Sequence, residues 1–115
     1  MLNNGVMMPT VGFGTAGLGD QTAAAVKAAL LAGYRHLDSA QSREWYREDH
    51  VGAALGLTDN GTLGEGGLRR IDESSSVPLS RMDLFITTKI HPNDLGYNKT
   101  LQVRTVTMLV RSASG

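Results

Sequence analysis

Two side chains in this sequence stand at strand ends, where chemistry is done in α/β proteins. Asp38 lies near the end of the run 34–40 and Lys89 ends the run 83–89. Tyr46 follows the first run after a short loop. Both runs alternate as half-buried strands do. On the first, His36, Asp38 and Ala40 share one face, and Arg35, Leu37 and Ser39 the other. On the second, Leu84, Ile86 and Thr88 share one face, and Phe85, Thr87 and Lys89 the other. A carboxylate at the C-terminal end of a strand that follows a helix occupies the usual catalytic position of a β/α barrel. His36 and Asp38 fit a polar barrel interior near the mouth better than a face covered by helices. A cationic lysine beside a tyrosine favours the phenolate, which is what a proton-donating phenol becomes. An aspartate beside that lysine keeps it charged.

These residues need a scaffold, and the chain supplies its signals in order. Asn3-Asn4-Gly5 marks a tight hairpin turn between Met1-Leu2 and Val6-Met7-Met8, and Pro9 ends that hairpin. The run 11–15 (VGFGT) is a first strand in which Gly12 and Gly14 permit close approach on one side. Close packing alone explains them as well. The stretch GFGTAG lacks the full G-x-G-x-x-G and its βαβ context, so a Rossmann reading is set aside. Asp20 is placed to cap a helix over 21–32, with Ala23, Val26 and Leu30 on one face, Ala29 beside them, and Gly33 as the C′ residue. A second helix falls within 44–55, with Val51, Ala54 and Leu55 apolar and Glu48-Asp49 near its N-terminus. The alternation of strand and helix is the βα rhythm of a barrel or a doubly wound sheet. Segment 57–81 breaks it with four glycines, a triple serine and no sustained period, the composition of a surface loop or disordered insertion. Residues 93–96 read as a turn, and 101–110 leave helix, strand and disorder open.

Size and charge narrow the function classes. The chain has 115 residues, no cysteine and a formal net charge of zero. One small domain fits that length, whereas a closed β/α barrel takes roughly 250 residues. Zero net charge argues against a nucleic-acid surface. The longest apolar run, 23–32, is too short for a bilayer and contains Lys27. The absence of cysteine excludes disulfides and suits a cytoplasmic setting.

Two stretches, GYRHLDSA at 33–40 and RMDLFITTKIHP at 81–92, resemble the aldo-keto reductases. The resemblance implies an α/β fold: the N-terminal part of a (β/α)8 TIM barrel, a hairpin plus about three βα units, incomplete as a barrel. It covers 1–100 as a partial NADP-dependent oxidoreductase domain with a flexible insertion at 57–81, and leaves 101–115 unmatched. It implies reduction of aldehydes or ketones to alcohols by hydride transfer from NADPH. Tyr46 is then the general acid, Lys89 the group that lowers its pKa, and Asp38 the partner of that lysine. Cofactor contacts are implied for Gly14, Thr15, Ala16 and Asp38, at the nicotinamide end.

The tyrosine of that family more often lies five residues after the aspartate, a position held here by Arg43. Tyr46 lies eight after it, so a short loop insertion is inferred. The family's orienting histidine is assigned to neither His50 nor His91. The expected partner is a small carbonyl substrate, with no nucleic acid and no membrane. An open sheet edge would permit self-association. The alternative reading is a truncated, non-catalytic fragment acting at most as an interaction module. A metal hydrolase built on His36, Asp38, His50 or His91 lacks any His-x-x-x-His pair, and no metal site is expected.

Overall fold

The computed structural model describes residues 1–56 and 79–102. It contains a three-stranded parallel sheet, β1 (Phe13–Gly14), β2 (His36–Asp38) and β3 (Phe85–Thr87), in the order β1-β2-β3. Helix α1 (Thr22–Leu31) connects the first two strands, and α2 (Glu48–Leu55) follows the second. Strands laid side by side in chain order, all pointing one way, are wound as a barrel is. A doubly wound sheet reverses its order at a switch point.

The strands are shorter than the alternating runs 11–15, 34–40 and 83–89. Pairing nonetheless continues past their ends. Phe85 N–H donates to the Arg35 carbonyl, Thr15 N–H to Asp38, Ser39 N–H to Thr87 and Gln41 N–H to Lys89, at 2.8–3.0 Å. Asp83 is withdrawn from β3 because its carboxylate accepts from both the N–H and the hydroxyl of Ser80, closing a 3-10 turn over Arg81–Asp83. At the N-terminus, Leu2 N–H donates to Val6 O at 2.8 Å around Asn3-Asn4-Gly5. The turn is present, but no strands flank it.

Register fixes two faces. Phe13 lies beside Leu37 and Leu37 beside Ile86; Gly14 lies beside Asp38 and Asp38 beside Thr87. The Leu37 face carries the core. Val26 and Leu30 of α1, Val51, Ala54 and Leu55 of α2, Leu37 and Leu84 form one buried cluster, with Phe13 and Ile86 packed against it. Leu37 is fully buried, and full burial of such a side chain contributes about 1.5–3 kcal/mol. The opposite face carries Gly12, Gly14, His36, Asp38, Phe85, Thr87 and Lys89. The alternation read from the sequence therefore separates helix-facing from inward-facing residues correctly.

Helix α1 ends as its sequence predicts. Gly33 takes φ +100°, its N–H donates to Leu30 O, and Tyr34 N–H donates to Ala29 O, the two bonds of a Schellman motif. Its start differs. A 3-10 turn over Gly19–Gln21 runs directly into Thr22, and no side chain caps α1. Asp20 makes no cap because it lies inside that turn, one residue before the N-cap position held by Gln21, and its exposed carboxylate meets Arg47 at 3.1 Å instead. Helix α2 begins at Glu48 with Asp49 in its first turn. The insertion expected over 57–81 lies outside the described residues except for its last three, as does the tail from 101 on except for its first two.

Candidate active site

The C-terminal end of β2 and the loop after it meet Lys89, just past the end of β3. Its Nζ lies 2.7 Å from Asp38 Oδ2 and 3.0 Å from the Ser39 carbonyl, which accepts a second hydrogen bond from it. The same ammonium stands over the Tyr46 ring, 5.3 Å from its centroid. The sequence-predicted trio is thus brought together. Asp38 and Lys89 share the inward face, and Tyr46 reaches the lysine from the loop after β2. The pair is half exposed, with 36% of the Asp38 side chain and 49% of the Lys89 side chain open to solvent. Water screens the attraction between these two half-exposed charges.

Two further features decide what can approach. A Cβ on Gly12 would meet His36 Nδ1 at 2.9 Å, so that glycine is required by close packing of the imidazole. A Cβ on Gly14 would meet nothing within 4 Å. The floor beside Asp38, its register partner, is therefore open on the inward face. Thr15 is fully buried, and its hydroxyl donates to the Asp38 carbonyl at 2.9 Å. Its side chain holds the Asp38 backbone in place. Ala16 is exposed at the rim. His36 is a satisfied histidine, with Nε2 2.9 Å from Thr87 Oγ1 and its ring edge-on to Phe85.

The loops beyond the strands are fastened to one another. Gly17 N–H donates to the Trp45 carbonyl at 2.7 Å, joining the loop after β1 to that after β2. Arg47 bonds Asp20 across the same gap and Asp49 within α2's first turn. The Arg47 guanidinium holds the Asp49 carboxylate down to about 2. His91 meets Glu44 at 2.9 Å, joining the loop after β3 to the loop after β2. The Glu44 carboxyl is held below its usual range by its own backbone N–H and then by His91. These clasps were not read from the sequence, because loop contacts leave no periodicity. The Trp45 side chain, beside Tyr46, is 66% exposed. A shallow groove lined by Pro9, Val11 and Gly33–Arg35 lies at the opposite ends of the strands, away from this chemistry. Among the described residues no cluster of three potential metal ligands occurs, and no helix is long and apolar enough to cross a membrane.

No protein-family model matches the chain. An uncharacterized oxidoreductase, YtbE, of Bacillus subtilis (strain 168) is 38% identical over 102 residues, 87% of this chain and 30% of that protein. A glycerol 2-dehydrogenase (NADP(+)) of Hypocrea jecorina is 41% identical over 92 residues, 77% of this chain and 24% of that protein. Among solved structures, the aldo-keto reductase MGS-M4 from a Medee basin deep-sea metagenome library superposes with a TM-score of 0.54 at 32% identity. That match covers 94% of this chain and 33% of the other. The chain thus spans a third or less of the length of these three proteins.

Proposed function

We propose that this chain, which is related to the aldo-keto reductases in sequence and in fold, carries the proton-donating part of a carbonyl reductase site. The observation that carries the reading is Lys89 Nζ, bonded to Asp38 and standing over the Tyr46 ring. Reduction of a carbonyl needs a hydride at carbon and a proton at oxygen. The open floor at Gly14, beside Asp38, suits a flat ring against the sheet end, with Gly14, the backbone of Thr15 and Ala16, and Asp38 as its surroundings. A nicotinamide bound there, as NADPH, supplies the hydride. NADP(+) stands in the name of one relative.

The chain's own residues do the remainder. The Tyr46 hydroxyl gives its proton to the carbonyl oxygen as negative charge develops there. The Lys89 ammonium stabilises the phenolate left behind, and Asp38 together with the Ser39 carbonyl holds that ammonium in place. Simple aldehydes and ketones are the substrate class.

A second reading, a non-catalytic module, is favoured by one observation: the three described strands form an open sheet. Titration with NADPH, followed by emission of Trp45 next to Tyr46, tests the first. Saturable quenching together with aldehyde-dependent NADPH oxidation that Tyr46→Phe abolishes supports the reductase. Quenching without oxidation, in a form of the protein whose sheet further strands close, supports the second reading. No saturable response at all removes the cofactor assignment.

A further inference from the structure

The loop that presents Tyr46 is longer than the aldo-keto reductase pattern by about the stretch Arg43-Glu44-Trp45, and that stretch supplies bonds to both neighbouring loops. The Trp45 carbonyl accepts from Gly17 on one side, and Glu44 meets His91 on the other. The His91 ring is oriented for this. Asn93 N–H donates to Nδ1 at 3.0 Å, so the proton of the neutral ring sits on Nε2 and points at Glu44 Oε1. Glu44 is two residues before Tyr46, and His91 two residues after Lys89. The bond therefore ties together the two segments whose side chains must meet.

We propose that Glu44 and His91 form a positioning latch that holds the Tyr46 ring against the Lys89 ammonium, and that His91 is a positioning residue for proton donation. The proposal rests on the reductase reading for its purpose, but its geometry is independent of turnover. Ser42, whose carbonyl accepts from both Trp45 and Tyr46 N–H, sets only the local turn. A turn alone fixes the direction of Tyr46 without fixing its distance from the next strand's loop. The Thr88 hydroxyl, bonded to Glu48, and Gln41 N–H, bonded to the Lys89 carbonyl, tie the two segments on either side of Tyr46, and the Glu44–His91 bond adds the constraint nearest the ring.

The test reads the contact directly. A ring above an ammonium displaces the neighbouring ε-methylene proton resonances of Lys89 upfield, and Tyr46→Leu removes that displacement. Glu44→Ala and His91→Ala are each expected to remove at least half of it. The double variant should remove no more than either alone, because both break one bond. Glu44→Gln keeps an acceptor oxygen for Nε2–H and is expected to retain the displacement. The methyl resonances of Leu37 and Val26 report whether the core is intact and should not move.

Unchanged Lys89 resonances in Glu44→Ala and His91→Ala overturn the latch, as does additivity of the two losses. Movement of the core methyls with the loss also overturns it, since the pair would then be a general structural contact. If Tyr46→Leu leaves Lys89 unchanged, the failure lies in the Tyr46–Lys89 arrangement and hence in the reductase reading itself.

Discussion

Lys89 Nζ lies 2.7 Å from Asp38 Oδ2 although the two residues are 51 positions apart in the chain. Parallel pairing of β2 with β3 brings them together, since Asp38 stands opposite Thr87 and Lys89 projects from the same face two residues on. The pair is too exposed to matter much to folding: 36% of one side chain and 49% of the other meet water. Such pairs contribute about 0–1 kcal/mol. Lys89→Met should therefore lower urea stability by no more than about 1 kcal/mol. In any form of the protein that reduces aldehydes, it should lower kcat by at least about a hundredfold, the scale of a lost charge-stabilising donor. A stability loss well beyond that, with turnover spared, would make the pair structural.

The two glycines near the strand end separate packing from access. Gly12→Ala places a Cβ 2.9 Å from His36 Nδ1 and 3.0 Å from its Cγ. The imidazole must turn away and give up its bond to Thr87, at a cost of about 1 kcal/mol. Gly14→Ala meets nothing within 4 Å and should leave the denaturation midpoint unchanged. The same methyl sits on the floor assigned to the nicotinamide, so it should weaken NADPH binding. Paired urea melts and NADPH titrations of both variants check this. A destabilised Gly14→Ala with unaltered binding would contradict it.

The inward and helix-covered faces were legible because register has period two. Leu37 between His36 and Asp38, and Ile86 between Phe85 and Thr87, could point only one way once helices covered one side. The end of α1 was legible for a local reason as well, since only a residue tolerant of positive φ closes a Schellman motif, and Gly33 follows directly. Asp20 was misassigned because a 3-10 turn takes it in and leaves Gln21 at the N-cap, and only the fold shows this or that Arg47 is within reach of its carboxylate. Glu44 and His91 were invisible for the same reason. Their meeting depends on how two loops are set by neighbouring strands, and no spacing within either loop encodes it. The eight-residue step from Asp38 to Tyr46 was the one sequence sign that this loop is unusual.

Acid should weaken the ion pair at the start of α2 in a defined window. The hydrogen bonds from Arg47 depress Asp49 from its ordinary 3.8 to about 2. A carboxylate with a depressed folded value stabilises the native state above its unfolded value and loses that contribution as pH falls through the folded one. The contribution is thus complete above about pH 4 and disappears toward pH 2. Asp49 is 65% exposed, so screening keeps the effect small. Arg47→Met should flatten the stability–pH curve between those limits, because the carboxylate then titrates alike in both states. Denaturant melts at half-unit steps from pH 5 to 2 would show it. An identical slope in the variant would mean other carboxylates dominate.

The 115-residue chain by itself should not turn over aldehydes, even though Asp38, Tyr46 and Lys89 converge. Strand β2 has neighbours on both sides, but β1 and β3 are the outer strands of the described sheet. In a closed barrel every strand is paired twice, and the walls of the mouth come from several strand ends. Here Asp38, Tyr46 and Lys89 occupy one arc of such a mouth, and the Asp38–Lys89 pair stays half open to water. Placement of reacting groups lowers barriers by roughly 7–11 kcal/mol, and a displacement on the order of an ångström forfeits much of it. Water around the pair also weakens the charge stabilisation on which proton donation from Tyr46 depends. NADPH oxidation with simple aldehydes should therefore stay at the background rate at low protein concentration. Unpaired outer strands can also associate, so the assay is run across a concentration series alongside sedimentation. Turnover at all concentrations, from a monomer and abolished by Tyr46→Phe, would refute the prediction. Turnover that rises with the square of concentration would show instead that a second copy closes the site.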